Sequence, residues 1–179
     1  MTKYRAEFSS PLGTITGAAD GTAITGIWFV GQKYFGSCLT PETAWRETLP
    51  VFWELRRWLE KYFLGEAPSS LPPLRPEGTE FQRRVWAELL KIPRGAVMTY
   101  GQIAEHLTLE GRRTSARAVG NAVGRNPISI LIPCHRVVGA DGALTGYAGG
   151  LPRKAALLEL EGFNGKTLLQ RAKESNFQL

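Results

Sequence analysis

"ARAVGNAVGRNPISILIPCHRVVG", Ala116 to Gly139, puts three unlike pieces of sequence in one run. The first, Ala116–Gly124, reads as a helix poor in bulk, with Arg117 its one long side chain. Glycine inside a helix costs about 1 kcal/mol relative to alanine. Two readings offset that cost. One is close packing against another helix; the other is close approach to a nucleic-acid backbone or groove, with Arg117 inserting where other residues cannot reach. Residues 128–132 then read as a short apolar strand. After it, Pro133, Cys134, His135 and Arg136 follow one another before a second apolar run.

The chain has only two cysteines and two histidines, and one of each stands side by side here. A free thiol has a pKa of about 8.5, so a nearby base or positive charge is needed to make it nucleophilic at neutral pH. Neighbours on an extended strand point to opposite faces. Cys134 and His135 therefore cooperate only if the backbone turns, and Pro133 favours a turn. A histidine base also needs an acceptor to orient it, and the last helix offers Glu159 and Glu161. The alternative is a buried structural cysteine beside a solvated histidine.

Working outward, Thr99 and Gln102 form a possible capping box before Ile103 and Leu107, as do Thr79 and Gln82 before Phe81, Val85 and Leu89. Two helices, a turn and the small-residue helix are compatible with a helix-turn-helix. Downstream lie an Asp141-Gly142 turn and "GYAGG"; Pro152 opens the last helix and Gly162 lies just past its end. The tail after Lys166 is polar and is expected to fray. Upstream, "KYRAEF", "GTITGAA" and "AITGIWFV" read as strands of an antiparallel meander. Phe52, Leu55, Leu59 and Tyr62 then trace a helix that stops at Gly65. Residues 66–78, "EAPSSLPPLRPEG", read as a linker. The expected organisation is α+β: residues 1–74 as a small antiparallel sheet with a helix, and residues 75–179 as a mostly helical domain.

Net charge is +6, with the acidic and basic residues of 1–74 in balance and the whole excess in 75–179. That favours a polyanion such as nucleic acid, or serves only as a solvated basic surface. The two cysteines suggest neither a disulfide framework nor a metal site. No run approaches the roughly 20 apolar residues of a membrane span, and no signal-peptide pattern opens the chain. The expected location is cytoplasmic.

At "PCHRVV" the chain resembles the O6-alkylguanine-DNA alkyltransferases, also called methylated-DNA–protein-cysteine methyltransferases. "VWAELLKIPRGAVMTYGQIA", "ARAVGNAVGRNPISILIPCHRVVG" and "GYAGGLPRKAALLELEG" accompany it in the expected order. The resemblance is strong over residues 79–162 and looser over 1–74, where "GIWFVGQ" carries most of it. It implies an RNase H-like first part and a helix-turn-helix in the second. It implies Cys134 as the alkyl acceptor, His135 as its base through a water, Glu161 orienting His135, and Asn126 supporting the turn. It implies Arg117 as a finger entering the duplex and Tyr100 beside the flipped base, with Ser115 and Gly120 also facing DNA. Tyr147, Ala148 and Val137 would line the guanine pocket, and Lys154 would supply polarity near the reacting centre. The implied partner is double-stranded DNA carrying alkylated guanine, bound through the minor groove by a monomer without a cofactor. Some members hold zinc in the first domain; Cys38 alone cannot, so no metal is expected.

There are departures. "EHLTLEGRRTS" is longer than the family's usual segment, and its Arg112 and Arg113 are expected near phosphate or on a mobile surface loop. Asn121 and Ala148 replace a small residue and a hydroxyl residue found in relatives. Two rivals stand beside the transferase: a cysteine hydrolase using Cys134, His135 and Glu161, and a DNA-binding module with an inert cysteine.

Overall fold

The computed structural model describes residues 2–111 and 113–163. Arg112 and the polar tail beyond Lys166 lie outside the described residues. The chain forms two compact units: one of Met1–Gly78 with Pro127–Leu131, the other of Thr79–Asn126 with Ile132–Leu179. The division is therefore not linear. It was expected at residue 75, but one short segment from the second half folds with the first unit.

The first unit is built on a four-stranded sheet in the order β3-β2-β1-β4, with β1 Tyr4–Phe8, β2 Ile15–Ala19, β3 Ile24–Phe29 and β4 Ala44–Trp45. β1, β2 and β3 form the expected antiparallel meander. β4 joins β1 in parallel, so the sheet is mixed rather than purely antiparallel. Helix α1, Pro50–Phe63, buries Val51, Phe52, Leu55, Leu59 and Tyr62. Its Phe52 ring meets Phe8 edge-on at 6.0 Å. The free edge of β3 is covered by two irregular segments, through Ile24↔Leu74 and Ile27↔Ile128. Covering an open edge removes a template for unwanted strand pairing. The proline-rich residues 66–78 are thus more than a linker: Ile24 N–H donates to Pro73 O, and Arg75 N–H donates to Ile24 O.

The second unit holds α2 Glu80–Leu90, β5 Met98–Thr99, α3 Tyr100–Leu109, α4 Ala116–Gly124, a 3-10 turn Cys134–Arg136, β6 Val137–Val138 and α5 Leu151–Leu160. Thr79 and Thr99 each close a full capping box, with Gln82 and Gln102. Ser115 caps α4 through the Ala118 N–H. α4 presses Val119, Ala122 and Val123 inward, and Trp86 of α2 donates its indole N–H to Ala122 O at 2.9 Å. α5 starts with Pro152 in its first turn and ends in a Schellman motif: Phe163 N–H donates to Leu158 O and Gly162 N–H to Glu159 O, with Gly162 at φ 82°.

Residues 128–132 are not a strand. Only Ile128 bridges β3, and the chain then turns, with Ile130 at φ 70° and Leu131 N–H donating to Ser129 O. An apolar run has the same composition in a strand and in a buried turn, so the pattern alone could not separate them.

Gly17 sits where β2 meets α1, and a Cβ there would lie 2.9 Å from the Phe8 ring and 3.2 Å from Leu55. Gly17→Ala is expected to destabilise the chain by about 1–3 kcal/mol through overpacking, read as a lower urea midpoint with unchanged slope.

Candidate active site

Cys134, His135 and Arg136 occupy the 3-10 turn, and the turn is what lets neighbours in sequence cooperate. Pro133, at φ −82° and ψ 62°, bends the chain so that Cys134 N–H donates to Ile132 O at 2.8 Å. This is an inverse γ-turn. Asn126 closes it from the other side. Its amide donates to Ile132 O at 2.9 Å and to Cys134 Sγ at 3.0 Å, so both amide hydrogens serve the turn.

His135 is completely buried, and its Nε2 lies 2.8 Å from Glu161 Oε1. Of the two acidic residues that α5 offered, Glu161 is the partner; Glu159 is exposed. Arg136 grips the same carboxylate, Nε to Oε2 at 2.7 Å and a terminal nitrogen to Oε1 at 2.9 Å. Its other terminal nitrogen donates to Ile92 O. Sequence reasoning gave Arg136 no role. The signal available was its place in the same turn as His135, which lets both reach one acid. His135 Nδ1 is buried and has no hydrogen-bond partner among the described residues.

Val137 leaves the turn as a strand. Met98 pairs with Val137 and Thr99 with Val138, and Thr99 caps the helix that begins at Tyr100. This short parallel ribbon fixes Tyr100 relative to Cys134. The Tyr100 hydroxyl donates toward Thr145 O at 3.2 Å and Gly146 O at 3.3 Å. Lys154 of α5 has no exposed surface and donates to Val137 O and to Thr145 O at 2.6 Å. Tyr147 sets its ring at 82° to that of His135, 6.5 Å between centres, and Ala148 beside it is half-buried.

Burial governs the acid–base balance. It pushes the Cys134 thiol up, while the Asn126 hydrogen bond and the Lys154 charge pull it down. Burial pushes His135 below the usual imidazole value, against the pull of Glu161. Tyr100 is raised, again by burial first. Lys154 is lowered to about 8 by desolvation, against the pull of Cys134. The resting pair is therefore a neutral thiol beside a neutral imidazole.

Of the expected DNA-facing residues, Arg117 and Gly120 lie on α4, Ser115 caps it and Tyr100 opens α3. Ser115, Arg117 and Asn121 are exposed, and Gly120 is half-buried. A Cβ at Gly120 would touch the Tyr100 ring at an ordinary 3.7 Å, and one at Gly124 would meet nothing within 4 Å. Neither glycine is required by packing, so the close-packing reading loses its basis. Arg113 is exposed in the turn before α4.

Two family models match the chain. The DNA-binding domain of 6-O-methylguanine DNA methyltransferase matches residues 80–163, and its ribonuclease-like domain matches residues 3–75. The chain belongs to the 6-O-methylguanine DNA methyltransferase family. Its relatives in that family include a methylated-DNA–protein-cysteine methyltransferase of Methanosarcina acetivorans, 46% identical over 159 residues, covering 89% of this chain and 98% of that protein. One of Haemophilus influenzae is 44% identical, covering 88% and 86%. Among solved structures, Mycobacterium tuberculosis OGT in complex with DNA matches with a TM-score of 0.78 and 39% identity, over 94% of this chain and 99% of that one. As a member of the methyltransferase family the chain has the expected α+β fold, with the ribonuclease-like part first. Among the described residues no helix is long and apolar enough to cross a membrane.

Lys154 gives a pH test. Its folded value near 8 lies below the 10.5 of an ordinary lysine, so above pH 8 the unfolded chain holds the extra proton. Stability contributed by this group is present above the unfolded value and is lost as pH falls through 8. Against a Lys154→Met reference, the parent is expected to gain up to about 3 kcal/mol between pH 7 and pH 10 in urea unfolding. A flat difference would mean that the carbonyls of Val137 and Thr145 keep the ammonium charged.

Proposed function

We propose that this chain repairs DNA by moving an alkyl group, methyl in the first instance, from O6 of guanine in a duplex onto Cys134. The observation that carries the reading is the grouping of Asn126, Cys134, His135 and Glu161 in one buried cluster. It supplies a nucleophile, a donor to that nucleophile, a base and an orienter. The 46% and 44% identical relatives are methylated-DNA–protein-cysteine methyltransferases, a transfer from methylated DNA to a cysteine.

His135 Nε2 is committed to Glu161, so Nδ1 is the atom that draws off the thiol proton, through a water. The thiolate attacks the alkyl carbon, the S–C bond forms, the C–O6 bond breaks, and the electron pair leaves with guanine. Tyr100, whose hydroxyl is kept protonated by burial, donates to the departing base. Lys154 favours the thiolate electrostatically. Tyr147, Ala148 and the backbone of Val137 line the pocket for the guanine ring. The product is a thioether, which water does not open under mild conditions. Each chain therefore acts once and is consumed.

An alkylated guanine inside the stack hides its alkyl carbon, so the base must turn out into the pocket, which costs a few kcal/mol. Arg117 fills the gap and offsets part of that cost. The small residues on the accessible part of α4, exposed Ala116 and half-buried Ala118, Gly120 and Gly124, suit the minor groove, whose degenerate pattern carries little sequence, as a lesion that occurs anywhere requires. The active form is a monomer.

The chain is incubated with a duplex oligonucleotide containing O6-methylguanine, and protein and DNA masses are followed. One methyl on the Cys134 peptide, at most one event per chain and restored guanine are expected. Multiple turnovers would instead mark a cysteine hydrolase, and binding without a mass change a DNA-binding module. Cys134→Ser should abolish transfer and keep DNA binding. Arg117→Ala should slow repair in duplex DNA by about tenfold or more, as loss of roughly 1.4 kcal/mol of support for the flipped state requires. Attack on a free O6-alkylguanine base should be little affected; equal slowing of both would reject the finger role.

A further inference from the structure

Between Asn126 and Ile132, two residues that each bond to Cys134, the chain makes a detour through the first unit. There Ile27 N–H donates to Pro127 O at 2.8 Å and Ser129 N–H donates to Ile27 O at 2.9 Å. Ser129 is bound at every polar atom it has. Its hydroxyl donates to Gln32 Oε1 at 3.3 Å, and its carbonyl accepts from Leu131 N–H at 2.9 Å. Gln32 is itself buried and fixed. Its Oε1 accepts the Phe29 N–H at 2.8 Å, which decides which end of the amide faces Ser129. Next to Ser129 stands Ile130 at φ 70°, a β-branched residue in the left-handed region. Such a conformation persists only where its surroundings hold it in place.

We propose that Gln32 is a positioning residue for transfer to Cys134: by holding Ser129 it fixes the segment whose two ends hold Cys134, one at its sulfur and the other at its backbone N–H. One end is Asn126, whose amide reaches Sγ; the other is Ile132, whose carbonyl takes the Cys134 N–H. If the turn relaxes, those two ends lose their spacing, and with it the bond from Asn126 to the sulfur. The inference rests on Cys134 being the acceptor. It gives the "GIWFVGQ" stretch a part in the chemistry, through backbone and turn rather than contact with substrate.

The test uses the full chain carrying Gln32→Met, which removes the acceptor at similar size, and Ser129→Ala, which removes only the hydroxyl. Three quantities are read: affinity for the O6-methylguanine duplex, transfer rate at saturating duplex, and the pH midpoint of iodoacetamide labelling on the Cys134 peptide. Affinity should stay parental while the rate falls about tenfold, the scale of one lost buried hydrogen bond. The labelling midpoint should move to higher pH, because Asn126 donation favours the thiolate. Lys154, His135 and Tyr100 also act on that sulfur, and neither variant alters them. The double variant should be no slower than the slower single one. A role in stability alone predicts a lower unfolding midpoint with parental rate and parental pH midpoint, and that result overturns the proposal. Should Gln32→Met not fold, Ser129→Ala decides by the same readouts, since Phe29 keeps its acceptor. Absence of methyl on Cys134 in the parent chain is a separate failure, of the acceptor reading itself.

Discussion

Glu161 carries a carboxylate with no exposed side-chain surface. A charge so placed survives only when a cation and donors meet both of its oxygens. Arg136 and His135 do so together, and both come from the same 3-10 turn. The demand of the buried acid therefore fixes the backbone around Cys134. An extended chain would turn one of the two donors away. The end of α5 that bears the acid is itself tied down, since Arg94 donates to Leu160 O at 2.8 Å. The carboxylate, the turn and the helix end make one unit, and the sulfur sits on it.

Burial moves the thiol and the imidazole in opposite directions, the first up and the second down. Both shifts favour uncharged forms, so the site at rest carries its sulfur as a thiol. Such a thiol reacts little with stray electrophiles, which would protect a chain that, as proposed, acts only once. The proposed relay then needs substrate in place before charge separates, because a proton moving from sulfur to imidazole creates an ion pair in a poorly solvated site. Asn126 and Lys154 limit that cost at the sulfur, and Glu161 limits it at the imidazole.

Local signals were legible. The spacing of Phe52, Leu55, Leu59 and Tyr62, the two Thr–Gln capping boxes and the glycine after α5 each act within one or two helical turns, and each stands where the sequence put it. The cysteine motif was legible too, because Pro133 announces a turn. What stayed hidden depends on partners far along the chain. β4 finds β1 in parallel, residues 73–75 and 127–129 cover β3, and Arg136 finds an acid on a helix that starts fifteen residues later. No composition or period encodes such meetings. Residues 128–132 misled for the same reason: their apolar character reports burial, and burial is common to a strand and to the Ile130 turn.

The small face of α4 supplies the remaining constraint. Packing asks nothing of Gly124, where a Cβ would find open space, and little of Gly120. Yet each glycine weakens the helix by about 1 kcal/mol. A cost with no return inside the chain points to a return outside it. Large side chains on this face would hold a groove away, whereas glycine and alanine let the helix backbone approach it. Arg117 is the one long side chain within Ala116–Gly124, and on the proposed function the same smoothness that would admit a groove would give the arginine its reach. On the proposed function such a helix would read no base edges, and recognition would pass to the site in front of Cys134. A lesion would then be selected by whether its base turns out and fits before Cys134, and a sequence-blind surface would serve a chemically selective sulfur.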